Sequence, residues 1–307
     1  MCILLSENYV PLLRDRLRQG FKAIFLAATI YSLPLEIQAA ELGDDYQALT
    51  PEQAQLADQM LAFVNKMEAK FFNVVERFNG NAEVEDREFN DEKSSRRARV
   101  ARGNVIEKAG LTNNITRSAF PPFLGEPLWN RYVMIDLQPK TPLVGLLHIT
   151  MTFRYEKGGK SSVGGVMQIA PGTRIEEDFA EMRAKVDAVF EKYGADVAPY
   201  RETNCSGPRH EAINLACSGV SFYTSHPFDI TEKNFNHVSE IFETLFDAYI
   251  EVLEKRKDQE YTDEDLAAQD RMRRAWFEDH LFEDEFTVSF VPYEAWTFTH
   301  APPVVKY

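Results

Sequence analysis

Ser161-Ser162-Val163-Gly164-Gly165-Val166-Met167-Gln168-Ile169-Ala170-Pro171 is the stretch that decides how the rest of this chain is interpreted. The mostly apolar run after the two glycines ends at a proline, and this pattern predicts a short buried strand. Gly164 and Gly165 have no Cβ atom, so another group can approach the backbone closely there. We therefore expect these two glycines to contact a substrate.

A helix is expected soon after this strand. Thr173 and Glu176 have the Thr-x-x-Glu spacing of a capping box, and Glu176, Glu177 and Asp178 suit the positive end of a helix dipole. Apolar residues then recur at helical spacing as far as Gly194, which has the position of a C-terminal helix stop.

The composition of the 307-residue chain excludes some classes of protein. Its formal net charge of −14 argues against nucleic-acid binding, which needs a basic surface. Three cysteines (Cys2, Cys205 and Cys217) form no CxxC pair and predict no disulfide framework. A reducing compartment is the simplest interpretation, so we expect a cytoplasmic protein whose buried cysteines are inert, rather than one with a cysteine nucleophile.

The N-terminal 49 residues form an extension in this interpretation. Basic residues from Arg14 to Lys22 precede an apolar run that ends near Leu35, in a layout similar to a signal peptide. The run is too short to span a bilayer as a helix. For residues 14–40 the sequence therefore leaves two interpretations open. The segment is either a targeting segment or surface anchor, or an ordinary extra helix.

The remaining pattern mixes helices and strands without regular βαβ alternation, which favours an α+β fold. Helices are predicted to begin at the N-cap residues Thr50, Thr231 and Thr262. The predicted strands outside the opening stretch are 131–137, 146–155, 219–223 and 286–291. A proline-bearing loop is expected over 118–127.

One strand carries an alternation that points to a site. His148, Thr150, Thr152 and Arg154 are separated by apolar residues, so their side chains share one face of the strand. Four polar residues on one face of an otherwise apolar strand predict the wall of a solvated pocket.

Several segments, taken in chain order, resemble the oxygen-dependent coproporphyrinogen III oxidase family. The opening stretch corresponds to the family's Gly-Gly-Gly-x-Asp-Leu-Thr-Pro turn, and an acidic helix start and a Gly-x-Asp segment follow it at the matching distance. The other matching segments are Arg97-Ala98-Arg99-Val100, Ile106-Glu107-Lys108-Ala109-Gly110, the helix end at 247–257 and Ala301-Pro302-Pro303-Val304-Val305-Lys306-Tyr307. The resemblance covers 50–307, which we expect to be a single domain.

The resemblance implies a large, mainly antiparallel β-sheet sandwiched between helices, and a homodimer. It also implies an oxidative decarboxylation of propionate side chains that uses dioxygen as co-substrate and needs neither a metal nor an organic cofactor. The histidines show no metal-binding motif, which agrees with that expectation.

The resemblance assigns roles to particular residues. The family's catalytic histidine falls on His148 or, by a second count, on Thr150, and we favour His148. Arg154 matches a family arginine that suits a carboxylate, and Gln168 takes the place of the family's aspartate. Arg97 and Arg99 are expected to hold anionic groups, and Thr150 and Thr152 to contact the substrate.

Departures from the family pattern change the functional expectation. A glutamine cannot take a proton at neutral pH as an aspartate can, and the family's histidine pair is replaced by Glu181 and Arg183. We expect an oxidase or oxidative decarboxylase of a carboxylate-bearing small molecule. Its substrate is either a tetrapyrrole or, as these departures favour, a changed one. The alternatives are a non-catalytic binding protein on the same scaffold and an enzyme with an acquired metal.

Overall fold

The structure, a computed structural model, describes residues 46–119, 125–206, 208–223, 227–284 and 291–303. These residues all belong to one unit, Asp45–Tyr307. The predicted N-terminal extension, most of the predicted strand 286–291 and half of the loop 118–127 lie outside the described residues. No helix in the described part is long and apolar enough to span a membrane.

An eight-stranded antiparallel sheet forms the centre of the fold, as the resemblance implied. The strands along its main path are ordered β1-β2-β3-β4-β5-β7-β8, and β6 pairs with β5 beside that path. The strands are β1 (Val84–Asn90), β2 (Ser94–Ala101), β3 (Ile106–Thr116), β4 (Pro127–Pro139), β5 (Leu146–Glu156), β6 (Ser161–Gly164), β7 (Val166–Ala170) and β8 (Val220–Ser221).

Helices cover both faces of this sheet. They are α1 (Pro51–Asn79), α2 (Glu176–Tyr193), α3 (Ala198–Cys205), α4 (Pro208–Ile213), α5 (Glu232–Arg256), α6 (Asp263–Glu278) and α7 (Tyr293–Thr299). A π-helical turn, Asp279–Glu283, continues from α6. The predicted caps are confirmed at Thr50, Thr231 and Thr262, whose side chains each accept a backbone N–H of the first turn.

One face of the sheet is apolar and holds the main core. In β3 to β5 the odd-numbered residues, such as Ile135, Ile149 and Phe153, are fully buried in one hydrophobic cluster with α1, α2 and α5. Phe63 of α1 packs edge-to-face against Phe242 of α5, with ring centroids 5.5 Å apart. The opposite face carries the even-numbered residues, and it is covered by the C-terminal part of the chain.

The start of α2 differs from the sequence prediction. Ile175 is the N-cap and its side chain makes no capping hydrogen bond. The hydroxyl of Thr173 instead donates to Oδ1 of Asp265, 2.7 Å away, so it is engaged with α6 and cannot cap α2. The predicted stop at Gly194 is confirmed, because its φ of 68° is a left-handed conformation that glycine adopts without strain.

The cysteines also differ from the prediction. Cys205, at the end of α3, and Cys217, just before β8, form a disulfide with a Cα–Cα distance of 4.8 Å. The expectation of inert, unlinked cysteines is therefore wrong for this pair. The sequence could not show the pairing, since it depends on α3 folding back beside β8. Because disulfides persist in oxidising environments, this pair also weakens the argument for a reducing compartment.

His237 of α5 gives the folded state a pH dependence. It is buried between Phe190 and Tyr193, with ring centroids 4.8 and 4.5 Å from its own. Burial, together with the nearby Lys233, lowers the pKa of His237 to about 4. The unfolded chain therefore binds a proton at this position before the folded chain does, and stability is lost as the pH falls from 6.5 towards 4.

We expect His237→Phe to remove this dependence. Relative to the variant, the wild type should lose up to about 1.4 kcal/mol of unfolding free energy per pH unit across that range. Urea denaturation of both proteins at pH 7.5, 6, 5 and 4.5 measures the difference. Parallel pH profiles would show that His237 takes up its proton equally in the folded and unfolded chains, which contradicts a lowered pKa.

Candidate active site on the polar face of the sheet

The sheet surface opposite the main core is lined by polar side chains, and we call it the polar face. It arises because the strand register aligns even-numbered residues: His148 lies opposite Asp136 on one side and Gln168 on the other. The polar face comprises Arg96, Lys108, Thr112, Asn114, Tyr132, Asp136, Gln138, His148, Thr150, Thr152, Arg154 and Gln168.

Asp136 is fully buried and binds two histidines. Nδ1 of His148 lies 2.7 Å from its Oδ1, and Nδ1 of His300 forms a hydrogen bond with its Oδ2. A carboxylate can only accept, so both rings carry a proton on Nδ1 and, when neutral, keep Nε2 as an acceptor. This arrangement fixes the tautomer and orientation of both rings.

The electrostatics keep Asp136 ionised. Burial alone would raise its pKa, but the charges of His300 and His148 and their hydrogen bonds outweigh burial and hold the pKa of Asp136 well below its usual range. Burial lowers the pKa of His300, and this effect exceeds the opposing attraction of Asp136. The pair is therefore best described as an anionic Asp136 beside a neutral His300.

Aromatic rings cover this cluster. Trp276 of α6 is fully buried, and its ring centroid lies 5.2 Å from that of His148 and 3.9 Å from that of His280, on which it stacks. The His148 and His280 centroids are 5.8 Å apart. The imidazole of His148 is thus shielded from bulk water, which strengthens electrostatic interactions at its ring.

Lys108 and Gln138 hold the segment that carries His300. Nζ of Lys108 donates to the backbone oxygens of Thr297 and Ala301, at 3.0 and 2.7 Å, and Nε2 of Gln138 donates to the oxygen of His300 at 3.2 Å. Burial lowers the pKa of Lys108 to about 7. These contacts bring a histidine from the end of the chain to the centre of the sheet.

A group of hydroxyls lies further along β5. Tyr223, which follows β8 and is about half exposed, has its hydroxyl 2.6 Å from Oγ1 of Thr152 and 3.4 Å from Oγ1 of Thr150. Thr150 is fully buried and also accepts the backbone N–H of Val166 at 2.9 Å. Its hydroxyl therefore has a structural role, whereas Thr152 and Tyr223 lie where the polar face is open.

Gln168 is the polar-face residue best placed to meet a ligand near His148. Its side chain is almost fully buried on β7, directly opposite His148 in the register. Among the described residues its Nε2 has no hydrogen-bond partner. A buried amide donor without a partner costs free energy, and a substrate acceptor would satisfy it.

Arg154 does not project into a solvated pocket. It is buried, its Nε lies 3.5 Å from Oε1 of the buried Glu156, and an Nη2 hydrogen bond reaches the backbone oxygen of Gly125. Burial lowers the pKa of Arg154 despite the attraction of Glu156. Its charge is thus already partly neutralised inside the protein.

The other predicted binding residues lie away from His148. Arg97 and Arg99 are odd-numbered residues of β2, on the opposite face, where they pair with Asp86 and with Glu68 of α1. Arg96 is the member of this arginine cluster that belongs to the polar face. The structure therefore does not bring Arg97 and Arg99 together with the predicted catalytic residues.

The two glycines are explained by the protein itself. A Cβ atom at Gly165 would overlap the backbone oxygen of Thr150, and one at Gly164 would lie 2.8 Å from Cβ of Phe222. The close approach that the sequence predicted is real, but the approaching groups belong to the chain and not to a substrate. These contacts account for the glycines without a substrate, and their substrate-contact role stays a prediction.

Comparison with known proteins agrees with this architecture. The family model for coproporphyrinogen III oxidase matches residues 59–290, which is most of the chain. The chain belongs to the coproporphyrinogen III oxidase family. The resemblance drawn from short segments is thereby confirmed.

A curated relative is the chloroplastic coproporphyrinogen-III oxidase 1 of Arabidopsis thaliana. It is 24% identical over 211 residues, which cover 60% of this chain and 54% of the relative. The chain thus spans about half the length of the curated relative it matches. At this distance, membership of a family of oxidoreductases is established, while the reaction of this chain is a matter for proposal.

Sequence reasoning found His148 and missed its partners. Asp136 lies only 12 residues earlier, and the two predicted strands could have been paired to place it opposite His148. His300 and Trp276 gave no comparable signal, because they approach from helices more than 120 residues later in the chain. The family alignment at Ala301-Pro302-Pro303 marked the segment but not its histidine.

Proposed function

We propose that this protein is an oxygen-using oxidoreductase that decarboxylates a carboxylate-bearing small molecule, of which a reduced tetrapyrrole is one form. The observation that carries the proposal is the buried Asp136 holding His148 in one tautomer on the polar face. Family membership supports the reaction class. A homodimer is part of the proposal and rests on the resemblance. A cytoplasmic location is also part of it and rests on the sequence, while the Cys205–Cys217 disulfide counts against a reducing compartment.

The proposed step balances without a redox cofactor. A propionate side chain, R–CH₂–CH₂–COO⁻, loses carbon dioxide and the equivalent of a hydride to give the vinyl group R–CH=CH₂. Dioxygen takes the hydride's two electrons and, with one further proton, becomes hydrogen peroxide. The protein has to orient the substrate, exclude water and move a proton.

The residues of the polar face suit these tasks. Nε2 of His148 is the acid or base, and the charge of Asp136 stabilises the imidazolium that forms when the ring takes a proton. Nε2 of Gln168 donates to an acceptor on the substrate. Thr152 and Tyr223 lie at the open side of the face, where the ring substituents of a larger substrate would be accommodated.

Oxygen consumption by purified, metal-stripped protein supplied with coproporphyrinogen III tests the proposal. We expect uptake of dioxygen together with products lighter by the mass of carbon dioxide and two hydrogens for each reacted side chain. The control is the same mixture with heat-denatured protein, since porphyrinogens oxidise slowly in air. Oxidation to the porphyrin without loss of carbon dioxide would contradict decarboxylation of this substrate.

A second candidate, a non-catalytic binding protein, is favoured by one observation. Gln168 occupies the place of the family's aspartate, and an amide cannot exchange a proton at neutral pH. Saturable binding of coproporphyrinogen III under nitrogen, with no oxygen uptake when air is admitted, would select this function.

A further inference from the structure

The π-helical turn Asp279–Glu283 is a departure from α-helical geometry next to the polar face. In an α-helix of 3.6 residues per turn, side chains five residues apart point about 140° away from each other. The wider turn bonds the backbone N–H of Asp284 to the oxygen of Asp279, at 2.7 Å, and brings these two residues onto one side. Such π-bulges are rare and occur frequently at functional sites.

Three metal-ligating side chains meet on that side. Asp279, His280 and Asp284 each offer one ligand atom, and these atoms all lie within 4.8 Å of one another. Asp279 and His280 are buried. A transition metal holds its ligand atoms at roughly 2.0–2.2 Å, so two of its ligands are at most about 4.4 Å apart, and the three atoms here lie close to that separation.

The surroundings of His280 are those of a metal ligand. Its Nδ1 lies 3.2 Å from the backbone oxygen of Trp276 and 3.0 Å from Oδ2 of Asp279, so two acceptors compete for one N–H. The backbone oxygen of Trp276 can keep that hydrogen bond while the carboxylate of Asp279 rotates towards a bound cation. A histidine that donates one ring N–H to a backbone carbonyl and ligates through the other nitrogen is the common arrangement in metal sites.

The donor set indicates the class of metal. One imidazole with two carboxylates suits divalent first-row ions such as Zn²⁺, Mn²⁺ and Fe²⁺, whereas Ca²⁺ and Mg²⁺ prefer oxygen ligands alone. We infer that Asp279, His280 and Asp284 bind one divalent first-row metal ion at the π-helical turn.

This inference concerns residues outside the proposed catalytic group and does not depend on the proposed reaction. The site is nevertheless close to it, since the rings of His280 and His148 are 5.8 Å apart. Two of the chain's three tryptophans report on it: Trp276 and Trp296 have ring centroids 3.9 and 6.4 Å from that of His280. A paramagnetic ion bound there would quench their fluorescence.

The test uses the full chain after chelator treatment and gel filtration, without an affinity tag. Titration with Zn²⁺ in a calorimeter should give one bound ion per chain, and Co²⁺ should quench tryptophan fluorescence with the same stoichiometry. Asp284→Asn is expected to weaken binding at least tenfold. Glu283→Gln is the matched control, because it removes the same charge one residue earlier from an exposed side chain, and it should bind as the wild type does.

Two outcomes would overturn the inference: no stoichiometric binding by the wild type, or equal affinities for Asp284→Asn and Glu283→Gln. Thermal melting of the metal-free proteins checks that both variants are folded, and His280→Gln provides a second ligand variant if Asp284→Asn is not. Failure of the oxygen-uptake experiment would leave metal binding intact, and failure of metal binding would leave oxygen uptake intact. The two proposals can therefore be rejected separately.

Discussion

Replacing His148 by glutamine is expected to lower the turnover of the proposed reaction by about 10²–10⁴-fold, the usual contribution of a general acid or base. The amide can still donate to Asp136 in place of Nδ1, but it cannot take a proton at neutral pH. Initial rates of oxygen uptake, measured at saturating substrate across a range of pH, give the effect. Substrate binding under nitrogen should change little.

His300→Gln is the matched comparison, because His300 binds the same carboxylate from the other side. Its Nε2 lies 3.4 Å from Oγ1 of the buried Thr112, so it faces the protein interior. We expect this variant to retain most of the turnover once its folding is verified. Equal losses in the two variants, or a larger loss in His300→Gln, would show that the acid–base role was assigned to the wrong histidine.

Replacing Asp136 by asparagine is expected to lower the free energy of unfolding by about 1–3 kcal/mol, the cost of leaving a buried hydrogen-bond donor without its partner. An amide can accept from one histidine but presents its N–H₂ group to the other, which must then change its tautomer or lose its hydrogen bond. Urea denaturation at pH 7 measures the change. Asp86→Asn is the control, since its pair with Arg97 is exposed and such pairs contribute about 0–1 kcal/mol.

The sign of the pH effect follows from the lowered pKa of Asp136. In the unfolded chain the pKa of an aspartate is near 3.9, which is higher than the pKa of Asp136 in the folded protein. The stability that the ionised Asp136 contributes is therefore complete above about pH 5 and is lost as the pH falls through 4 and below. The difference in stability between the wild type and Asp136→Asn should therefore narrow in acid. A difference that stays constant down to pH 3 would show that the effect of the substitution is not electrostatic.

The sequence predicted those features that depend on local spacing. Helix starts at Thr50, Thr231 and Thr262 follow from side-chain caps, and the shared face of His148, Thr150, Thr152 and Arg154 follows from the period of a strand. The contacts of that face could not be predicted from local spacing. The face was expected to be solvated, whereas Thr150 and Arg154 are almost fully buried. Their side chains contact other parts of the chain, with Thr150 near Tyr223 and Arg154 bonded to the backbone of Gly125.

The features that sequence reasoning missed share a physical origin. Thr173 was expected to cap α2, but a partner 92 residues later took its hydroxyl. Asp136 and His300 are 164 residues apart, and Cys205 and Cys217 are joined only because α3 folds back beside β8. Each case depends on tertiary contacts between elements, and the spacing of residues along one chain carries little information about such contacts.

The division of the sheet into an apolar and a polar face has an evolutionary consequence. The free energy that holds the helices to the sheet comes largely from apolar odd-numbered residues of β3 to β5, while the residues of the proposed reaction are even-numbered. Substitutions at neighbouring positions of one strand would therefore change different properties of the protein. An exchange at a polar-face residue such as Gln168, whose Nε2 has no partner among the described residues, would leave the apolar face unchanged, so this scaffold could accept new substrates without losing the contacts that fold the domain.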